Sequence, residues 1–206
     1  MRKAAYAATA LAIGAAAVTF GGGQAVQAKG GPGDGLLPLP QLVCPDATAT
    51  VHYSEPFKLR GLTNALETSD DIKFGTEASG VPCADTRLHV PGGKRVTGGH
   101  GRLIARKTGN CSNVDAMGTA QITWTKRVGT KHVPVGESTI NYSASGPIVD
   151  TVITSGTVDV GDTFGGTKVI NNSINSDDPA GTLAKCSITE GLVKQGGRAQ
   201  FTLWKY

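Results

Sequence analysis

Beyond residue 40, apolar and polar positions alternate with a period of two. Ala47, Ala49, Val51 and Tyr53 interleave with Thr48, Thr50, His52 and Ser54. The same alternation recurs at Ala120–Ile122–Trp124, Ile140–Tyr142–Ala144, Ala184–Cys186–Ile188 and Ala199–Phe201–Leu203. Successive side chains of a strand point to opposite faces, so each run predicts a strand with one buried and one wet face. Further strands are expected at Thr86–Val90, Arg102–Lys107, Ile148–Thr154, Thr157–Val160 and Thr167–Asn172. Turn residues punctuate them at Pro91-Gly92-Gly93, Gly109-Asn110, Gly129-Thr130, Ser145-Gly146-Pro147, Ser155-Gly156, Gly165-Gly166, Pro179-Ala180-Gly181 and Gly196-Gly197. The only helix signal is Asn64-Ala65-Leu66-Glu67, an N-cap residue with a glutamate three positions later. The expected fold is all-β: an antiparallel β-sandwich or small barrel of about 9–11 strands.

The N-terminus departs from this pattern. Arg2 and Lys3 precede an alanine-rich apolar stretch from Ala4 to Phe20, followed by three glycines and Val26-Gln27-Ala28. This is the layout of a signal peptide over residues 1–28, cut before Lys29. Residues 29–40 are rich in glycine and proline and read as a flexible leader, with a single β-domain over 41–206. The expected location is secreted, extracellular or loosely wall-associated. No membrane role is expected after cleavage.

Composition adds two constraints. The chain has 206 residues, 17% of them charged, and a formal net charge of +4. Loss of the N-terminal segment takes two cations and no anion, leaving +2. Net charge alone therefore does not imply a polyanionic partner. All four cysteines, Cys44, Cys83, Cys111 and Cys186, follow the N-terminal segment. An even number in an exported chain favours two disulfides. Three pairings are possible; Cys83–Cys111 with Cys44–Cys186 is the expected one.

Several segments resemble small exported β-rich proteins of actinobacteria. They are the Cys44 to Ser54 strand, Ala120-Gln121-Ile122-Thr123-Trp124, Ser155-Gly156-Thr157-Val158 followed by Gly161-Asp162-Thr163, the late Cys186 and Ala199-Gln200-Phe201-Thr202-Leu203. The resemblance implies export and a β-fold, and carries no functional residue.

The search for chemistry is mostly negative. No nucleophile-elbow, phosphate-loop, dinucleotide or H-E-x-x-H motif occurs. The histidines, His52, His89, His100 and His132, stand in polar or turn contexts. No catalytic residue, metal ligand or cofactor is expected. The oxygen-rich stretch Asn171 to Asp178 reads as Asx-type turns rather than a calcium loop.

Two binding features remain. Arg87, Lys94, Arg95, Arg102, Arg106 and Lys107, with His89 and His100, fall between Ala84 and Lys107 beside one anion, Asp85. If the flanking strands pair as a hairpin, they form a basic patch suited to an anionic cell-wall polymer or another extracellular anion. A solvated edge hairpin is the rival reading. Nucleic acid is not expected, because no aromatics interleave with the cations. Trp204 falls on the polar face with Arg198, Gln200 and Thr202, where an indole can stack on a sugar ring. The expected function is a secreted, non-catalytic β-domain that binds or builds at the cell envelope, with an anionic or glycan wall polymer as ligand. The alternatives are a secreted hydrolase with a non-sequential site and a secreted protease inhibitor.

Overall fold

A computed structural model describes residues 38–206. The expected signal peptide and most of the expected leader lie outside the described residues. Ten strands and one short α-helix follow in chain order. They are β1 (Leu39–Phe57), β2 (Thr63–Gly75), β3 (Ala84–Asp85), β4 (Gly98–Asn110), β5 (Asn113–Val128), β6 (Lys131–Gly146), β7 (Asp150–Val158), β8 (Lys168–Val169), β9 (Asn172–Ser176), α1 (Pro179–Ser187) and β10 (Leu192–Lys205). A 3-10 turn at Gly92–Lys94 lies between β3 and β4. β1 begins two residues before the expected domain start.

The strands form one antiparallel sheet that closes on itself. β1-β2-β4-β5-β6-β7 run as a meander of neighbours. β8 and β9 share the next stave, each paired to both β7 and β10, and β10 returns to pair with β1. The result is an eight-stave barrel, the barrel alternative rather than the sandwich. Closure removes the free edges that an open sheet exposes.

The period-two pattern dictates which residues face inward. On β4, Leu103, Ala105 and Lys107 point in and Arg102, Ile104 and Arg106 point out. On β5, Gly118 stands opposite Ala105. A Cβ at Gly118 would collide with the Ala105 Cβ and the Ile104 carbonyl. The close approach of the two staves thus requires glycine there.

Side chains fill the two ends of the barrel. One end holds Trp124, Phe74, Phe164 and Phe201 with Leu42, Val96 and Leu203; the ring centroids lie 5.0–6.3 Å apart. The Trp124 indole donates to Ser138 Oγ at 2.7 Å, so its buried N–H is satisfied. The other end holds Tyr53, Phe57, Val114, Ile148 and Leu192. Each end carries a disulfide: Cys44–Cys83 at the first and Cys111–Cys186 at the second. Both bonds are present but the expected pairing is wrong. β3 pairs with β1, which sets Cys83 beside Cys44, and α1 delivers Cys186 to the β4–β5 turn.

Three further expectations are corrected. Asn64–Glu67 lies in β2, because pairing with β1 and β4 overrides a local cap signal that no apolar helical face supports. Ala184–Ser187 lies in α1 rather than a strand. Asp178 caps that helix by accepting from Gly181 N at 2.9 Å, Pro179 opens it, and the buried residues Thr182 and Cys186 are four apart on one face. Thr86–Val90 forms no strand; residues 86–97 cross the aromatic end of the barrel as a loop.

Candidate functional site

The expected basic hairpin does not form. β3 and β4 do not pair, and the cations disperse. Arg87 donates to Asp85 from Nε at 2.9 Å and Nη2 at 2.6 Å, and its guanidinium lies 3.9 Å from the Phe164 ring centre. Arg95 donates to the Asp85 carbonyl at 2.6 Å. Both arginines therefore fasten the loop over the aromatic end. Arg102 and Arg106 stand outward on β4, bonded to Gln121 and Asn64. His89 and Lys94 are exposed in the loop. All four histidines are exposed; His100 contacts Glu77 at 2.9 Å. Trp204 stands half-buried on the outer wall of β10.

The Asp85 clasp has a pH signature. Burial alone pushes the Asp85 carboxyl upward, but hydrogen bonds from Arg87 and the Val96 amide, with the Arg87 charge, outweigh it and hold its pKa below the ordinary range. A carboxylate with a depressed folded pKa stabilises the fold above its unfolded pKa of about 3.9. That contribution is lost as pH falls through the folded value. Asp85→Asn should therefore cost about 1–3 kcal/mol at pH 7. Urea midpoints of variant and parent should converge as pH falls through the depressed folded value.

The cation that matters is the one facing inward. Between the two packed ends, the barrel axis carries small side chains: Ala47 and Ala49 on β1, Ala120 on β5, Gly197 and Ala199 on β10. They leave two adjoining cavities of about 100 and 70 Å³, with Ala49, Leu103, Tyr142, Ile174 and Gly197 shared by both walls. The larger is apolar, walled by Ile72, Ile122, Ile140, Ile153, Ile174 and Val169. The smaller holds the polar groups Glu67, Lys107, Tyr53, Tyr142 and Gln195.

Strand register assembles this polar end. Tyr53 stands opposite Glu67, and Lys107 opposite Ala65, so Glu67 and Lys107 are diagonal neighbours on one inner face. Lys107 Nζ lies 3.4 Å from Glu67 Oε1 and 5.2 Å from the Tyr53 ring centre. Both side chains are less than one-tenth exposed. The Tyr53 hydroxyl donates to Gln195 Oε1 at 3.0 Å, and Gln195 Nε2 donates to the Ile148 carbonyl at 2.9 Å. Tyr142 sits between Gly118 and Gly156 on its neighbouring strands, which gives its ring room to enter the lumen. Its hydroxyl forms no hydrogen bond with the described residues, yet no fully enclosed polar atom is unpaired; it opens onto the cavity. Burial pushes both tyrosine hydroxyls well above their ordinary pKa, and the nearby Glu67 charge adds to it. They are neutral donors at any physiological pH.

One lumen thus presents an apolar wall at one end and, at the other, a free phenol beside a buried ion pair. This arrangement can orient a compact amphipathic molecule. Sequence reasoning placed Lys107 among the surface cations and read Glu67 as a helix cap. The signal was available: on β4, Lys107 has the parity of Leu103 and Ala105, not that of Arg102 and Arg106.

Among the described residues, no group of three or more His, Cys, Asp or Glu side chains could hold a metal ion, and no helix is long and apolar enough to cross a membrane. Comparison of the chain with family models, curated proteins and solved structures finds no match.

Proposed function

We propose that this chain is an exported, non-catalytic binding protein whose barrel holds one compact molecule with an apolar body and a hydrogen-bonding head. The observation that carries the reading is the Tyr142 hydroxyl, free of protein partners beside the buried Glu67–Lys107 pair at the polar end of an otherwise apolar lumen. A barrel of eight strands is just wide enough either to be filled by side chains or to hold one small ligand. Here the alanines and glycines of β1, β5 and β10 favour the second use. Size restricts the ligand to about one ring or a short branched chain, since an apolar cavity of ~150 Å³ accepts benzene. Export is supported by the signal-like segment Met1–Ala28 and by two disulfides, bonds that persist in oxidising compartments.

Titration calorimetry with p-cresol and toluene tests the reading. The two share a methylated ring; only p-cresol carries a hydroxyl head. The oxidised protein should bind p-cresol, and bind toluene at least about tenfold more weakly, the equivalent of one well-made hydrogen bond in a dry site. Ala120→Leu, which fills the larger cavity, should abolish both while leaving stability unchanged or raised by about 1 kcal/mol. Equal affinity for the two probes, or no binding of either, contradicts the reading.

A further inference from the structure

A second site lies on the outside of the barrel, independent of the lumen. β8 and β9 share one stave but are interrupted at Ile170 and Asn171, where Asn171 adopts φ 54°. On that side β10 pairs with β8 only at Trp204 and with β9 only at Gly197, Arg198 and Ala199. The gap between is bridged by a side chain: Thr202 N donates to Asn172 Oδ1 at 2.9 Å. The break leaves a groove of about 400 Å³ in the outer wall.

The groove is lined by Trp204, Gln200, Thr202, Asn171, Ser173 and Asn175, with Asn172 beneath, and no charged residue lines it. Asn172 is committed to the fold through Thr202 and the Ile170 carbonyl. The side-chain amides of Asn171, Asn175 and Gln200 form no hydrogen bonds with the described residues. On the outer face Lys168 stands directly across from Trp204, with its Nζ 5.0 Å from the Tyr206 ring centre, and Arg198 is paired with Asp177 at 3.1 Å. Gln200, Thr202 and Trp204 succeed one another on one face of β10. At about 6.8 Å per two residues, they line roughly 13 Å, the reach of a short oligosaccharide. An amide presents a donor and an acceptor together, the pairing that a sugar hydroxyl answers. An indole offers a rigid apolar face to the C–H side of a pyranose ring.

We propose that this groove binds a neutral oligosaccharide, with Trp204 stacking on one ring and Gln200, Asn171 and Asn175 bonding its hydroxyls. The lining itself carries no charged residue, which favours a neutral ligand over an anionic one. The test titrates oxidised protein with chitotriose, cellotriose and maltotriose, read by tryptophan fluorescence and calorimetry. Trp124 is fully buried, so a fluorescence shift on binding reports Trp204. At least one trisaccharide should bind saturably. Trp204→Ala should weaken it roughly tenfold, Gln200→Ala by roughly threefold, and Trp204→Phe should retain most of the affinity. Ala120→Leu should leave it unchanged, which separates this site from the lumen. No saturable binding of any of the three, or equal binding by folded Gln200→Ala and Trp204→Ala proteins, overturns the proposal.

Discussion

Lys107→Met should destabilise the barrel by about 3–5 kcal/mol, the cost of stranding one member of a buried ion pair. Glu67 would remain less than one-tenth exposed, with Tyr53 opposite it already bonded to Gln195. The informative comparison is the double variant Glu67→Leu with Lys107→Met. Apolar replacements of similar volume are often neutral or stabilising, because two desolvation penalties disappear with the attraction. The double variant should therefore return to within about 1 kcal/mol of the parent or exceed it. Its affinity for p-cresol should fall toward that for toluene, the remaining margin being the bond to the Tyr142 hydroxyl. Stability retained with recognition lost would mean that the pair serves the ligand rather than the fold. Urea denaturation of the three proteins checks the first part; a single variant as stable as the parent would contradict it.

Removing either disulfide should have an effect of similar size, in a different place. Cys44–Cys83 and Cys111–Cys186 span 39 and 75 residues of sequence. Chain-entropy reasoning assigns roughly 4 kcal/mol to each, slightly more to the longer loop. The two bonds guard opposite ends. Cys111→Ser with Cys186→Ser frees α1, whose remaining attachments include the buried Thr182 hydroxyl, 2.8 Å from Ser176 Oγ. Hydrogen exchange should accelerate in α1 and in the β4–β5 turn while the Trp124 end stays protected. Uniform acceleration along the chain would contradict this division into two ends.

How much of this was legible beforehand follows from which signals are local. Alternation fixed most strands, because one buried face leaves a period-two trace wherever it runs long enough, as in β1, β5 and β10. It failed at Ala184, Cys186 and Ile188, a trace as long as those quoted for β5 and β10, because the Asp178 cap and Pro179 just upstream start a helix there. The choice between barrel and sandwich rests on β10 meeting β1, a contact across most of the chain that no local pattern carries. Disulfide pairing failed because Cys83 is set beside Cys44 by a two-residue β1–β3 ladder, too short to leave a pattern in the sequence. Arg102 and Arg106 share the outer face of β4, and the parity that sets them there sends Lys107 inward. The inward Glu67 needed β2 to be recognised as a strand, and the cap-like Asn64–Glu67 signal concealed it. The Trp204 face was read correctly from β10 parity; the groove beside it depends on the β8–β9 break, which leaves no sequence pattern beyond a run of asparagines.

The proposed occupant of the barrel is a small amphipathic molecule lying along its axis. Isoleucine methyl NMR tests it most directly, because the residue type samples both sides of the wall. Ile72, Ile122, Ile140, Ile153 and Ile174 line the lumen, whereas Ile104 and Ile188 are exposed outside. On titration with p-cresol, saturable ring-current shifts should be confined to these five residues and Ile148, which lines the smaller cavity, and should be absent in Ala120→Leu. Shifts at Ile104 or Ile188 with the lumen methyls unmoved would contradict it.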